Sequence, residues 1–283
     1  MLLKLSHLFS VVRFYIIMKI YHYTSIETLA LILHSNKIRF NRLDRVDDVE
    51  ESCYGSGPTN ARLGMYSFVS CWTKDAMENL SLWKMYTGYK GVRIGIDEDM
   101  FITYRVNDQF RSFFPGVGDI TREYIVLSYM NEARLYDVKY VPNPEEEIKN
   151  ISEFKNYGRT YIKTHISRIG FYKRKEWEFQ KESRFKVMLL PVYNENLKEQ
   201  SSMNDFELFF NSIIDSVRAT QVNYPLKTEY IDMPLNPEKM KTMEIMLGPQ
   251  TSEAEMLIVQ SLLRDYPNVT IRRSYFYGKI NKR

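Results

Sequence analysis

The chain has 283 residues, of which 39 are basic and 35 acidic, for a formal net charge of +4, with 44% hydrophobic and 14% aromatic content. That is enough apolar material for one large core, and charges spread along the whole length exclude a basic block that would announce a phosphate backbone as partner. Two cysteines, Cys53 and Cys71, exclude a disulfide framework and a thiolate zinc site, so a reducing, cytoplasmic setting is expected.

The first seventeen residues are apolar, but Lys4, His7 and Arg13 interrupt them and no small-residue cleavage site follows. No stable membrane insertion is expected of this extension. It reads either as an over-extended start, with Met18 as the true beginning, or as an amphipathic helix lying on the core or on a membrane surface. A single domain is expected over 18–283, opening with a strand from Lys19 to Tyr23. Thr24-Ser25-Ile26-Glu27 has the pattern of a capping box, and the apolar spacing predicts a helix to about Ser35. Ile38 and Phe40 alternate with polar residues as a short strand, and Arg42 to Gly64 is a polar loop. The loop holds Asp47, Asp48, Glu50 and Glu51, read as surface acidity because cation loops space their carboxylates alternately around a glycine.

Met65 to Thr73 and Gly91 to Asp97 read as strands, with a helix between them that carries Leu80, Trp83 and Tyr86 on one side. Arg134 to Val141 is a predicted strand, and Asn143 to about Lys173 a charged, helix-favouring segment. Glu182 to Leu190 is strand-like, Asp205 to Val217 an apolar helix, and Tyr230 to Pro234 and Met243 to Leu247 are extended. A last helix begins at the Ser252-x-x-Glu255 capping box, and Val269 to Phe276 completes the sheet. Strands dispersed among helices without strict βαβ alternation imply an α+β fold with a mixed, largely antiparallel sheet flanked by helices.

His22, between Tyr21 and Tyr23, sits where a strand runs into a capped helix, a place from which side chains reach clefts; a satisfied core or cap histidine is the competing account. His7, His34 and His165 make no metal-ligand spacing with it, and no metal is expected. Ser70, Trp72 and Thr73 end a strand, and Trp72, Trp83 and Tyr86 offer a flat aromatic wall or ordinary core packing. The sharpest local feature is Trp177-Glu178-Phe179-Gln180-Lys181-Glu182-Ser183-Arg184, a polar loop handing over to an apolar strand. Glu182 and Arg184 share a strand face, so an ion pair or a shared ligand contact is natural. A carboxylate placed there suits stabilisation of positive charge on a sugar as its leaving group departs.

Taken together, these motifs resemble a bacterial family known as domain of unknown function 2971, over nearly all of Met18 to Ile280. Its Tyr-x-Tyr opening is similar to Tyr21-His22-Tyr23. Its Asn-Asp-Pro-Phe-Glu survives only as Asp48 and Glu51. Its Ser-Cys-Phe-Ser and Gly-x-x-Ile-Gly-Phe strands resemble Ser70-Cys71-Trp72-Thr73 and Gly91 to Ile96, with Trp83 and Tyr86 between. Its Trp-x-x-Glu-x-Glu-x-Arg is matched by Trp177, Gln180, Glu182 and Arg184, with Gln180 in place of the first glutamate, and its Leu-Gly-Pro by Leu247-Gly248-Pro249. The layout is similar to distant ADP-ribosyltransferases. That resemblance implies a split sheet and NAD as substrate, with His22, Tyr86 and Glu182 in catalytic roles. Tyr23, Thr24, Ser70, Trp72, Thr73, Trp83, Gln180 and Arg184 are then expected around the dinucleotide, Gln180 presenting the acceptor and Arg184 meeting phosphate. The acceptor would be a protein or nucleic acid, and a toxin or antiphage effector the setting. The alternative implied is a catalytically inactive nucleotide-binding or protein-interaction module.

Overall fold

The computed structural model describes residues 17–53, 62–116, 119–121, 123–148, 152–156, 160–164, 168–193 and 206–281, so all but the last residue of the apolar extension lies outside the described residues. Strand β1 (Lys19–Thr24) passes through Ser25 into helix α1 (Ile26–Ser35), and β2 (Lys37–Arg42) follows at once. Then come β3 (Ser67–Thr73), α2 (Leu80–Thr87), β4 (Val92–Asp97) and the short strands β5 (Tyr104–Arg105), β6 (Arg111–Ser112), β7 (Asp119–Ile120), β8 (Tyr124–Val126), β9 (Tyr136–Asp137) and β10 (Lys139–Val141). Next are α3 (Pro144–Ile148), β11 (Ser152–Asn156), β12 (Thr160–Thr164), β13 (Tyr172–Arg174) and the long β14 (Glu182–Pro191). The chain ends with α4 (Phe206–Gln221), β15 (Tyr230–Pro234), α5 (Pro237–Met240), β16 (Glu244–Leu247), α6 (Glu253–Leu262) and β17 (Thr270–Arg273).

Among the described residues, eleven strands form one sheet along the path β17-β16-β4-β1-β3-β14-β8-β7, with β2 joined to β3, β15 to β2 and β9 to β14. Its pairs are antiparallel except β16 with β17, so the fold is α+β with a mixed, mostly antiparallel sheet. No helix among the described residues is long and apolar enough to cross a membrane.

The feature that positions the site is a fork. β1 pairs with β4 along its whole length, from Lys19↔Asp97 to Thr24↔Val92, but touches β3 in register only at Tyr21↔Thr73. Further back along β3, Val69 and Phe68 pair with Asn41 and Arg42 of β2 instead. β1 and β2 therefore diverge from a shared neighbour, and helix α1, which links them, spans the gap.

Directly opposed residues share a sheet face, so the registers sort the side chains. Tyr21, Cys71, Thr73, Glu182 and Arg184 lie on one face; Ile20, His22, Phe68, Trp72 and Phe185 on the other. The second face holds the main core, including a ring cluster of Phe40, Phe101, Phe113 and Phe185 with centroids 4.9 to 6.2 Å apart.

Several expectations are corrected. The first helix is capped by Ser25, which accepts from the Thr28 amide, so the Thr24 and Glu27 pattern is not a box; the one at Ser252 and Glu255 is complete. On α2, Trp83 is buried beside Leu82, while Leu80 and Tyr86 are partly exposed, because a three-residue step drifts around the helix. Among its described residues, the segment from Asn143 holds the five-residue helix α3 and then a hairpin, β11 with β12, in which Thr160, Tyr161 and Ile162 supply strand-favouring residue types. Arg134 to Val141 is split into β9, in the main sheet, and β10, paired in parallel with β13. The last strand stops at Arg273 rather than Phe276.

Candidate functional site

A cavity of about 520 Å³ opens at the fork, floored by the end of β3 and walled by β1, α1, β2, residues 45–47, Tyr86 of α2, and the Gln180 to Glu182 junction. Of the residues singled out from sequence, His22, Tyr23, Thr24, Ser70, Trp72, Thr73, Tyr86, Gln180 and Glu182 line it. Trp83 and Arg184 do not.

The late-strand arginine is the clearest correction. Arg184 is fully buried and all five of its N–H donors are used: Nε and one terminal nitrogen on Glu182, both terminal nitrogens on Glu51, and one on the carbonyl of Gly170. It has nothing left for phosphate. Trp83 is likewise core: its ring stands edge-on to Tyr23 at 4.8 Å and its indole N–H donates to Glu78 at 2.9 Å.

The acidic loop is the second correction. Glu51 is 0% exposed and Asp48 5%, because the loop folds inward to place a carboxylate on Arg184. Lys173, from β13, completes the cluster, donating to Gln180 Oε1 at 2.8 Å and to Glu182 Oε2 at 3.0 Å. Burial works against the Glu182 charge, yet Arg184 and Lys173 hold its carboxyl down to about 2. Burial opposes the Lys173 charge too, and its carboxylate neighbours, Glu182 foremost, keep it above the usual lysine range. Glu51 goes the other way: burial and the nearby Glu182 push it up against the pull of Arg184. Sequence reasoning missed Lys173, since nothing local marks a lysine in a charged segment as the partner of a strand nine residues on.

Gln180 ends a 3-10 turn, and Lys181 takes the left-handed conformation, with φ 44°, before β14 begins. The amide of Gln180 is fully engaged: its oxygen accepts from Lys173, and its nitrogen donates to Asp47 Oδ2 at 3.1 Å and to Tyr86 Oη at 2.9 Å. It lines the cavity as a strut, not as a free group that presents an acceptor. Tyr86 is 43% exposed, offers its ring to the cavity, and donates its hydroxyl to Asp47 at 2.9 Å. Burial of the hydroxyl, then the Asp47 carboxylate, push its ionisation up beyond reach at neutral pH.

On the other side of the fork, His22 Nδ1 lies 2.8 Å from the carbonyl oxygen of Cys71. A carbonyl can only accept, so Nδ1 carries the proton and Nε2 keeps its lone pair. Burial lowers the His22 pKa against a smaller opposite pull from that carbonyl, so the ring is neutral at pH 7. Its Nε2 has no hydrogen bond among the described residues, and the ring lies on Trp72 with centroids 5.1 Å apart. Trp72 is 3% exposed and its N–H donates to Ser70 Oγ at 2.9 Å, so the indole supports the histidine and leaves little face for a ligand. Tyr23 Oη accepts from the Asn79 amide and from Arg93, and Thr73 Oγ1 from the Asp75 amide.

By register, His22 and Glu182 project from opposite faces of the sheet, and they meet one cavity only because β1 peels away from β3 between them. Cys71 is the link: its carbonyl holds His22, and its side chain shares a sheet face with Glu182. Burial, then the Glu182 carboxylate, push that thiol well above its usual range, which removes it as a nucleophile. Among the described residues no group of three or more His, Cys, Asp and Glu side chains is arranged to hold a metal ion. Comparison of the chain with family models, with curated proteins and with solved structures finds no match to any of them.

Proposed function

We propose that the cavity takes a nucleotide and that the protein transfers ADP-ribose from NAD to a macromolecular acceptor, protein or nucleic acid. The observation that carries this reading is the convergence of His22, Thr73, Tyr86, Gln180 and Glu182 on one cavity of about 520 Å³, within the roughly 300–1,000 Å³ typical of ligand sites. The neutral His22 offers an acceptor to a ribose hydroxyl, and Tyr86 offers an exposed ring face to nicotinamide. The ionised Glu182 supplies negative potential near a glycosidic carbon that becomes cationic as nicotinamide leaves with the bonding pair. Since Arg184 is saturated, phosphates fall to the basic residues that do line the cavity, Lys37, Arg39 and Arg45. Resemblance to a bacterial family adds a toxin or antiphage effector as the biological setting.

One observation favours a second reading, a catalytically silent nucleotide-binding or interaction module. Both oxygens of Glu182 already accept from Arg184, and one also from Lys173, so little of its charge is free to serve a transition state. Purified protein incubated with labelled NAD and cell lysate separates the two. The transferase is expected to release nicotinamide and label a macromolecule; accumulation of free ADP-ribose without an acceptor marks a hydrolase instead. NAD binding with neither outcome leaves the silent nucleotide-binding module, and no NAD binding ends the transferase and leaves only the interaction module. Substituting Glu182 is a poor discriminator, because it strips a buried cation cluster of its partner and lowers stability by itself.

A further inference from the structure

The geometry points to Asp47, rather than Glu182, as the carboxylate that grips the ligand, and to the hydroxyl pair of a ribose as what it grips. This rests on the nucleotide reading above and names the contact within it. Among the described residues, three carboxylates line the cavity: Asp47, Glu182 and Asp232. Asp232 is spent on Arg39, whose Nε and terminal nitrogen donate to its two oxygens at 2.9 and 3.2 Å. Glu182 is spent on Arg184 and Lys173.

Asp47 is different. Its Oδ2 accepts from two neutral donors, Tyr86 at 2.9 Å and Gln180 at 3.1 Å, while its Oδ1 has no hydrogen bond among the described residues. The nearest cation, Lys173 Nζ, stands 3.8 Å from Oδ1, too far for one. The side chain is 31% exposed and lines the cavity, and the bonds to Oδ2 hold it in place before any ligand arrives.

Among the described residues that line the cavity, Asp47 Oδ1 and the Nε2 lone pair of His22 are acceptors without a hydrogen bond. Acceptors repel phosphate and demand a group that brings donors. Within a nucleotide the donor-rich part is the ribose, whose two vicinal hydroxyls can each give a proton to one acceptor.

Calorimetric titration of the full chain with ADP-ribose and with a dideoxy compound, the counterpart in which both riboses lack their 2- and 3-hydroxyls, for wild type and Asp47→Asn, tests this. Loss of one charge-assisted hydrogen bond is expected to weaken ADP-ribose binding to Asp47→Asn by about tenfold or more. The dideoxy compound is expected to bind wild type at least as weakly, and to lose little further affinity in the variant, since the Asp47 contact is already missing from it. Should Asp47→Asn not fold, Asp47→Glu, which keeps the charge but displaces it, is expected to weaken ADP-ribose and spare the dideoxy compound. Equal binding of ADP-ribose to the folded variant and wild type, or of the two compounds to wild type, overturns the proposal. If wild type binds no ADP-ribose, the nucleotide reading falls with it. If binding depends on Asp47 but NAD yields no nicotinamide, the proposal stands and the transferase falls; nicotinamide release undiminished in Asp47→Asn gives the reverse.

Discussion

At the scale of single residues, His22 and Arg184 show how burial decides role. His22 is neutral in the fold, with a pKa lowered from its ordinary 6.5, so the unfolded chain takes up a proton first as pH falls. Its contribution is therefore a loss of stability that begins near pH 6.5 and grows on further acidification, with none at pH 8. His22→Gln, whose amide can still donate to the Cys71 carbonyl, is expected to flatten that part of the curve when thermal midpoints are compared from pH 8 to 5. Arg184 makes the opposite point. Replacing it with lysine keeps the charge but loses the planar fork that serves Glu51, Glu182 and Gly170 together. Breaking so buried a network is expected to cost about 3–5 kcal/mol, measured by urea unfolding.

At the scale of elements, the junction between α2 and β4 fixes the end of β1 and so the rim of the cavity. A Cβ on Gly91 would lie 2.2 Å from the Thr24 carbonyl oxygen and 2.8 Å from Thr87 Cβ, and backbone at a strand end cannot yield that distance. Gly88, three residues earlier, has φ +55° but nothing within 4 Å. Gly91→Ala is expected to lower the unfolding midpoint further than Gly88→Ala, whose cost is the conformational term of about 1 kcal/mol. A result in the reverse order would mean that strand and helix are free to move apart there.

For the molecule as a whole, two buried groups on β14 each make stability rise with pH, in separate windows. Glu182 is held at about 2 instead of 4.5, so its stabilising share is complete above pH 4.5 and is lost as pH falls toward 2. Lys186, buried beside the Ile169 carbonyl, has its pKa lowered to about 7 from 10.5, chiefly by burial and then by Arg184. The unfolded chain therefore holds more protons between pH 7 and 10.5, and stability attributable to Lys186 rises across that interval. Lys186→Met is expected to remove this alkaline rise, read as the difference between wild-type and variant denaturation midpoints at pH 7 and 9.5.

Sequence by itself determined the local grammar. β1, β2 and β14, the Ser252 capping box and the sharing of one strand face by Glu182 and Arg184 follow from period-two and period-3.6 patterns that need no distant partner. Only the tertiary structure decided what those residues do. Whether an arginine meets phosphate or disappears into Glu51, and whether an acidic loop is surface or core, depends on which segments a forked sheet brings together across 133 positions. Electrostatics in a buried cluster is a property of the assembled set, since each group's charge is set by desolvation and by partners that lie far apart along the chain.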